Sequence, residues 1–221
     1  LYINQGNWNF VDVTDTAGVA CVGQYSTGCC LADMDGDGDL DLLVNGIGSG
    51  TRLFLNNGSA VYKEKVNSGL SRIGGSHSMA LADFDKDGDI DFIVGNQGLN
   101  GYVRPKEDYP VYVYNNDFDG NGTYDPLLGQ YFEHEGKQIL YPIHSREDIK
   151  LQFPESMVHF YTFEDFAKVS FESLLKIQDL ESETLKATTF ASAYLENLGD
   201  GNFKVHNLPS NLQVSPINDL L

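Results

Sequence analysis

Cysteine and long apolar stretches are scarce in this sequence, and each scarcity excludes a class of protein. The 221 residues include only three cysteines, Cys21, Cys29 and Cys30. This odd number without Cys-x-x-Cys spacing predicts neither a disulfide scaffold nor a zinc or redox centre. A single disulfide from Cys21 to Cys29 or Cys30 stays open. No run of about 18 apolar residues occurs, so we expect no membrane-spanning segment.

Positive charge is also scarce. Lysine and arginine number 14 against 32 aspartate and glutamate residues, a formal net charge of −18. This charge argues against nucleic acid or an anionic membrane surface as a partner. Thirteen of the 32 acidic residues lie in three short loops, five in each of the first two and three in the third. One divalent cation in each loop would move the net charge to about −12, so the acidity indicates bound metal rather than a solvated tail.

Three segments share one pattern of aspartates and glycines, namely residues 33–41, 83–91 and 117–125. Alternating oxygen-bearing side chains, with glycine at the sixth position for a sharp turn, fit Ca²⁺, which takes about six to eight oxygen ligands. Oxygen ligands alone disfavour zinc and copper. We therefore predict up to three Ca²⁺ sites. The side-chain ligands would be Asp33, Asp35, Asp37, Asp41, Asp83, Asp85, Asp87, Asp91, Asp117, Asp119, Asn121 and Asp125, and the carbonyl ligands Asp39, Asp89 and Thr123.

The loops share the first half of the EF-hand pattern but differ from it at the twelfth position. An EF-hand has a bidentate glutamate there, whereas this chain has Val44, Val94 and Leu128. EF-hand loops also lie between helices, and these loops run into apolar, β-branched segments that are typical of buried strands. An EF-hand is therefore excluded. The remaining alternative to a metal site is a solvated acidic turn.

A second recurring unit is a β-hairpin with an Asn/Gly turn. Joined to the loops, it gives the order strand, acidic loop, strand, strand, turn, strand, which makes a four-stranded antiparallel sheet. Repetition of such sheets predicts an all-β fold, a partial β-propeller. Since a propeller needs about four blades to close, we expect the chain to be part of a longer protein. The predicted parts are an outer hairpin at 1–18, blades at 20–66, 76–109 and 110–206, and the start of another blade at 211–221.

The third predicted blade is interrupted by helical sequence over residues 145–186. Ser145 with Asp148, and Thr162 with Asp165, have the spacing of helix-capping boxes. Apolar residues then recur on one face of a predicted helix, which we expect to pack against the sheets. This face consists of Phe163, Phe166, Ala167, Phe171, Leu174 and Leu175.

At the three acidic loops and their apolar flanks the sequence resembles FG-GAP/VCBS-type repeats. This family builds the propeller of the integrin α-subunit and many bacterial extracellular proteins, and residues 101–141 are most similar to bacterial members. The resemblance covers most of the chain outside the helical segment. It implies calcium in the loops, a seven-bladed propeller in the complete protein, and an extracellular, cell-surface or periplasmic location. Asn121, in place of an acid, and Lys86 depart from the pattern, and Asn121 should weaken the third site.

These features together predict a calcium-stabilised module that binds a protein or glycan ligand, with calcium in a structural role. The alternative is part of a secreted polysaccharide-degrading enzyme, a lyase or hydrolase. Its candidate residues would be Tyr102, Arg104, Lys106 and His144. A passive spacer between other domains is a third hypothesis. No catalytic triad is indicated by the spacing of the histidines.

Overall fold

The computed structural model describes residues 1–47, 50–70, 77–152, 154, 160–175 and 184–220. The chain is mostly β, with four-stranded antiparallel sheets and a few short helices. The predicted fold class is confirmed at this level, and closure into a propeller stays a prediction. The chain forms two compact units. The first unit is Leu1–Tyr102 with Phe190–Leu221, and the second unit is Val103–Thr189.

The strands and helices are numbered in chain order. The strands are β1 (Tyr2–Asn4), β2 (Phe10–Asp12), β3 (Tyr25–Ala32), β4 (Asp41–Ile47), β5 (Gly50–Asn56), β6 (Tyr62–Glu64), β7 (Ser78–Ala82), β8 (Asp91–Gly95), β9 (Val111–Tyr114), β10 (Leu127–His134), β11 (Lys137–Pro142), β12 (Thr184–Ala187), β13 (Ala193–Asn197) and β14 (Phe203–Asn207). The helices are α1 (Thr14–Ala17), α2 (Arg146–Gln152), α3 (Phe163–Phe166) and α4 (Phe171–Leu174). In the described ranges, no helix is both long and apolar enough to cross a membrane.

The first sheet has the predicted strand order, β3-β4-β5-β6, with all neighbours antiparallel. The first acidic loop joins β3 to β4, and the Asn/Gly turn joins β5 to β6. Leu43 in the central strand β4 lies opposite Cys30 on one side and Leu53 on the other. The hairpin β1–β2 forms a two-stranded sheet of its own.

The second sheet corrects the predicted blade boundaries. Its order is β14-β13-β8-β7, so the hairpin β13–β14 completes the sheet that the second acidic loop begins. Residues 76–109 are therefore not a complete blade, and the assignment of the hairpin near 190–206 to a third blade is wrong. The second unit is inserted between β8 and β13. The alternation of apolar and polar residues predicts the two strands of a hairpin, but it does not identify the strand that the hairpin joins. Here that strand is β8. Ser76 lies outside the described residues.

The second unit has its own sheet, β11-β10-β9-β12, with the third acidic loop between β9 and β10. The hairpin β10–β11 turns at Glu135 and Gly136, which have φ of 50° and 76°. The predicted helical segment 145–186 contains α2, α3 and α4 but ends in strand β12. Residues 153, 155–159 and 176–183 of it lie outside the described part of the chain.

The helix predicted over 163–175 is in fact two short helices, α3 and α4. The hydroxyl of Ser170 accepts a hydrogen bond from the Ser173 N–H and caps α4, so a new helix starts there. Phe171 is buried, whereas Phe163 is 72% exposed and does not join the predicted packing face. Both predicted capping boxes are present, at Thr162 and at Ser145.

The strand predicted from residue 211 onward is absent from residues 211–220, and Leu221 lies outside the described part. A 3₁₀ turn at Ser210–Leu212 is followed by irregular chain. This chain crosses the end of the second sheet, where the Leu99 N–H donates to the Gln213 carbonyl (2.7 Å) and the Ile217 N–H to the Asn96 carbonyl (3.0 Å). These single hydrogen bonds fix the segment without a strand ladder.

The two sheets of the first unit share one hydrophobic core. It includes Leu43 and Leu53 from the first sheet and Phe92 and Leu195 from the second, each 0% exposed. Burying such a side chain stabilises the fold by about 1.5–3 kcal/mol. A separate core in the second unit contains Leu127, Ile149 and Phe171.

All three cysteines are free, so the disulfide that the sequence left open is not formed. Cys29 and Cys30 point to opposite faces of β3, since Cys29 is exposed and Cys30 is half-buried against Met79 (Sγ–Sδ 3.8 Å). Burial raises the pKa of the Cys30 thiol to about 11. This thiol is therefore protonated at neutral pH and acts as a small apolar core residue.

Candidate metal centres

The first acidic loop folds around the carboxylate of Asp33. Its oxygens accept hydrogen bonds from the N–H groups of Gly36 (2.9 Å) and Gly38 (3.1 Å). An oxygen of Asp35 accepts from the Asp37 N–H (3.3 Å). These bonds curl the chain so that one carboxylate oxygen from each of Asp33, Asp35 and Asp37 lies within 4.8 Å of the others.

Asp41, the last residue of the pattern, ties this loop to the sheet. It is the first residue of β4 and is 0% exposed. One of its oxygens accepts from the Met34 N–H in the loop (2.9 Å) and the other from the Asn56 N–H at the end of β5 (2.8 Å). A single carboxylate therefore joins the loop to two strands.

The second loop repeats this arrangement. Asp83 accepts from the N–H groups of Lys86 (2.7 Å) and Gly88 (3.2 Å). Asp91, also 0% exposed, accepts from the Phe84 N–H in the loop (3.1 Å) and from the Asn197 N–H at the end of β13 (2.8 Å). It accepts a third hydrogen bond from the Tyr194 hydroxyl (2.9 Å).

The third loop, in the second unit, has a related but altered geometry. Asp117 accepts from the N–H groups of Asn121 (3.0 Å) and Gly122 (2.8 Å), and Asp125 accepts from the Phe118 N–H (3.1 Å). The side-chain amide of Asn121 donates to an oxygen of Asp119 (2.9 Å). That oxygen therefore already accepts from a side-chain donor, and the weaker third site stays a prediction.

Within each loop, three of the predicted carboxylate ligands come together. The close groups are Asp33, Asp35 and Asp37; Asp83, Asp85 and Asp91; and Asp117, Asp119 and Asp125. They are the only groups of three or more His, Cys, Asp or Glu residues at this spacing within the described ranges. The other predicted ligands are Asp39, Asp41, Asp87, Asp89, Asn121 and Thr123.

Several carboxylates of the loops have raised pKa values. Burial first, and then the charge of Asp41, raises the pKa of Asp35, and burial likewise raises the pKa of Asp41. Burial raises the pKa of Asp85 and of Asp125 as well. One oxygen of Asp39 is buried and accepts no hydrogen bond. An all-oxygen donor set with raised carboxyl pKa values and an orphaned oxygen fits a hard divalent cation such as Ca²⁺.

Two kinds of residue that support the loops were missed from the sequence. One is the asparagine that ends β5 in the first sheet, Asn56, and β13 in the second sheet, Asn197. Its side-chain amide donates to the loop carbonyl of Leu40 (3.0 Å) in the first sheet and of Ile90 (3.1 Å) in the second. The signal was present, because each asparagine precedes the glycine of its hairpin turn by two residues.

The other missed feature is the fourth position of each loop. Gly36 and Gly120 have φ of 78° and 73° there, and Lys86 adopts the same left-handed conformation with φ of 68°. The sixth-position glycines are left-handed too, as predicted for Gly38, Gly88 and Gly122. Two left-handed residues per loop turn the backbone N–H groups toward the first aspartate.

Of the residues considered for an enzyme, Tyr102 belongs to the first unit and Arg104, Lys106 and His144 belong to the second. The Arg104 N–H donates to the Gln130 side chain (2.8 Å), and Lys106 forms a tight turn with Tyr109. His144 has a buried Nε2 without a hydrogen-bond partner. Neither of the two pockets described in the second unit is lined by any of these three candidates. Tyr102 is 80% exposed.

A profile of the FG-GAP-like repeat matches residues 1–44 and, in an overlapping second match, residues 33–94. Residues 1–94 are therefore similar to FG-GAP-like repeats. This FG-GAP-like region contains the first two acidic loops and ends within β8, which confirms the resemblance for that part of the chain. The third loop lies beyond it and is related to the other two by its geometry. A comparison with curated proteins gave no match.

Proposed function

We propose that this chain is a calcium-binding FG-GAP repeat module that binds a protein or glycan ligand outside the cytoplasm, with calcium in a structural role. One observation carries the proposal: in each of three loops, three aspartate carboxylates lie within 4.8 Å of one another. Two of these loops are in FG-GAP-like repeats. Like charges at this spacing repel strongly unless a cation lies between them.

The loop residues would hold Ca²⁺ and also connect it to the sheet. Asp33, Asp35 and Asp37 face one another in the first loop, and Asp41 links that loop to β4 and β5. A bound Ca²⁺ would neutralise the carboxylates and draw these strands together. Its binding free energy would then contribute to the free energy of folding.

An extracellular or periplasmic setting is part of the proposal. Extracellular calcium modules have dissociation constants of about 10⁻⁴–10⁻³ M, so half or more of their sites are filled where calcium is millimolar. The two sheets of the first unit, which pack through a shared core, are compatible with neighbouring blades of a propeller. We propose that such a propeller serves as a rigid scaffold for ligand binding.

Calcium removal tests the proposal. We expect the melting temperature measured in millimolar calcium to fall by about 5–10 °C or more in excess chelator, because a few kcal/mol of ligand binding shifts the melting of a domain by this amount. Isothermal titration should find two to three sites. A melt that does not respond to chelator, or that responds equally to potassium, would contradict the proposal.

A further inference from the structure

The second unit contains a pocket that the acidic loops do not explain. It has a volume of about 560 Å³ and lies between the hairpin β10–β11 and the start of α4. Such a volume is within the usual range for small-molecule sites. Its lining includes the rings of Tyr114, Tyr131, Tyr141 and Phe171 and the side chain of Gln138.

A glycine in the sheet makes the apolar wall of this pocket. A Cβ atom at Gly129 would lie 2.6 Å from Cε2 of Phe171, so only glycine lets this ring pack onto β10. The Phe171 ring in turn packs against the Tyr114 ring, with 4.7 Å between centroids. Phe171 is 1% exposed and Tyr114 is 8% exposed, so both rings are held in place.

Four polar groups that line the pocket form no hydrogen bond in the described part of the chain. These groups are the hydroxyls of Tyr114 and Tyr131, the amide of Gln138 and the carboxylate of Glu172. Burial raises the pKa of Tyr114 to about 12, so its hydroxyl remains a donor at neutral pH. Glu172 is exposed and Tyr131 and Gln138 are half-buried, so these groups are open to solvent and to a ligand that enters the pocket.

The charges at the pocket are balanced. Glu172 supplies an acceptor, and Lys168 supplies a donor that also pairs with Glu164 (3.0 Å). A carboxylate ligand would be repelled by Glu172, and a quaternary ammonium ligand would meet Lys168. A neutral ligand with both donors and acceptors is the best match.

We propose that this pocket binds a neutral pyranose unit of a glycan. The ring of a neutral sugar has apolar C–H faces that pack on aromatic rings, and its hydroxyls both donate and accept hydrogen bonds. Tyr131 would supply an aromatic surface, while Gln138 and Glu172 would bind hydroxyls. The proposal rests on the proposed role as a ligand-binding module, but it does not require calcium.

The test uses the full chain in millimolar calcium and four neutral probes: maltotriose, cellotriose, mannotriose and galactotriose. Saturation-transfer NMR and titration calorimetry should detect at least one of them with a dissociation constant of about 1 mM or tighter. Glu172→Gln and Tyr131→Phe should each weaken binding about tenfold, since each removes one or two hydrogen-bonding groups. Tyr131→Ala should abolish it. Tyr161→Ala, at an exposed tyrosine of the same unit that does not line the pocket, is the matched control.

Three results would overturn the pocket assignment: no neutral probe binding, binding of glucuronate or choline in their place, or unchanged sugar affinity in Glu172→Gln. Glu172 is exposed, so its variant should fold, and an unchanged melting temperature checks this. The calcium proposal is tested by a different measurement, the melting temperature in excess chelator. Sugar binding with a chelator-insensitive melt would keep the pocket and reject structural calcium.

Discussion

Lys86 departs from the sequence pattern of the loops but keeps their geometry. It takes the left-handed conformation that glycine takes at the equivalent Gly36 and Gly120. For a residue with a side chain this conformation costs roughly 1–2 kcal/mol. The sharp turn at the sixth-position glycine was predicted correctly from the sequence. A left-handed residue at the fourth position was not predicted, because the second loop has lysine there. The hydrogen bonds to Asp83 hold Lys86 in this conformation.

Asp35 provides a test at the residue scale, because calcium should reverse the sign of the change in folding stability that its substitution causes. Burial and the charge of Asp41 raise its pKa, so in the metal-free protein its ionised form destabilises the fold. We expect Asp35→Asn to stabilise the protein in chelator and to destabilise it in millimolar calcium. Chemical denaturation at neutral pH, with and without calcium, measures both signs.

The pH dependence of the metal-free protein provides the control for this variant. A raised native pKa means that the folded state binds the proton more tightly, so stability is lost as pH rises through that native value. The gain in stability that Asp35→Asn gives the metal-free protein should therefore shrink at acidic pH and vanish below the unfolded-state pKa of about 3.9. An acidic turn that binds no metal would give stabilisation in both conditions.

At the scale of elements, the sequence predicted the repeating parts of the fold and failed to predict how they are joined. The strands after the first two loops and the two hairpins follow from alternation and Asn/Gly turns, which are local signals. The partner of β13 depends on an edge that β8 exposes far away in sequence. The break between α3 and α4 depends on Ser170, whose capping role competes with the continuous apolar period around it. Local sequence patterns therefore predict neither the partner strand of β13 nor the break between α3 and α4.

Asn197 links the two loops of the first unit. Its side-chain amide donates to the Ile90 carbonyl in the second loop and to the Met34 carbonyl in the first, each at 3.1 Å. Its backbone N–H reaches Asp91, and the Met34 N–H reaches Asp41. A continuous hydrogen-bonded path therefore runs between the two buried carboxylates.

We expect Asn197→Ala to cost about 2–4 kcal/mol, because it leaves two loop carbonyls without a donor. The matched control is Asn56→Ala, which removes the donor to a single loop carbonyl, that of Leu40, and should cost about 1 kcal/mol. Urea unfolding in calcium measures both. Calcium titration should show that Asn197→Ala weakens the first and second sites together, whereas Asn56→Ala affects the first alone. Equal costs for the two variants would contradict the bridging role.

At the scale of the whole molecule, the second unit is an insertion whose two ends return to one place. The Gly98 N–H donates to the Phe190 carbonyl (2.8 Å), so the chain leaves the first unit and re-enters it at neighbouring points. The second sheet is then completed by β13 and β14. Among the described residues, the core of the first unit contains none from the inserted segment.

Replacing residues 103–189 with a short Gly/Ser linker should leave the first unit folded. A short linker suffices because the loop ends are already adjacent, and closing a shorter loop costs less entropy. The variant should keep the calcium response of the first two loops and lose the third site and sugar binding. Circular dichroism, a calcium-dependent melt and sugar titration check each part. Loss of cooperative unfolding would show that the first unit depends on the insertion.

The position of the insertion also has a consequence during synthesis. A ribosome that has finished β8 must translate residues 96–192 before β13 exists to pair with it. At about 5–20 residues per second this takes roughly 5–20 seconds, far longer than most hairpins need to form. Throughout that delay β8 has an unpaired edge of the kind that invites pairing with other nascent chains.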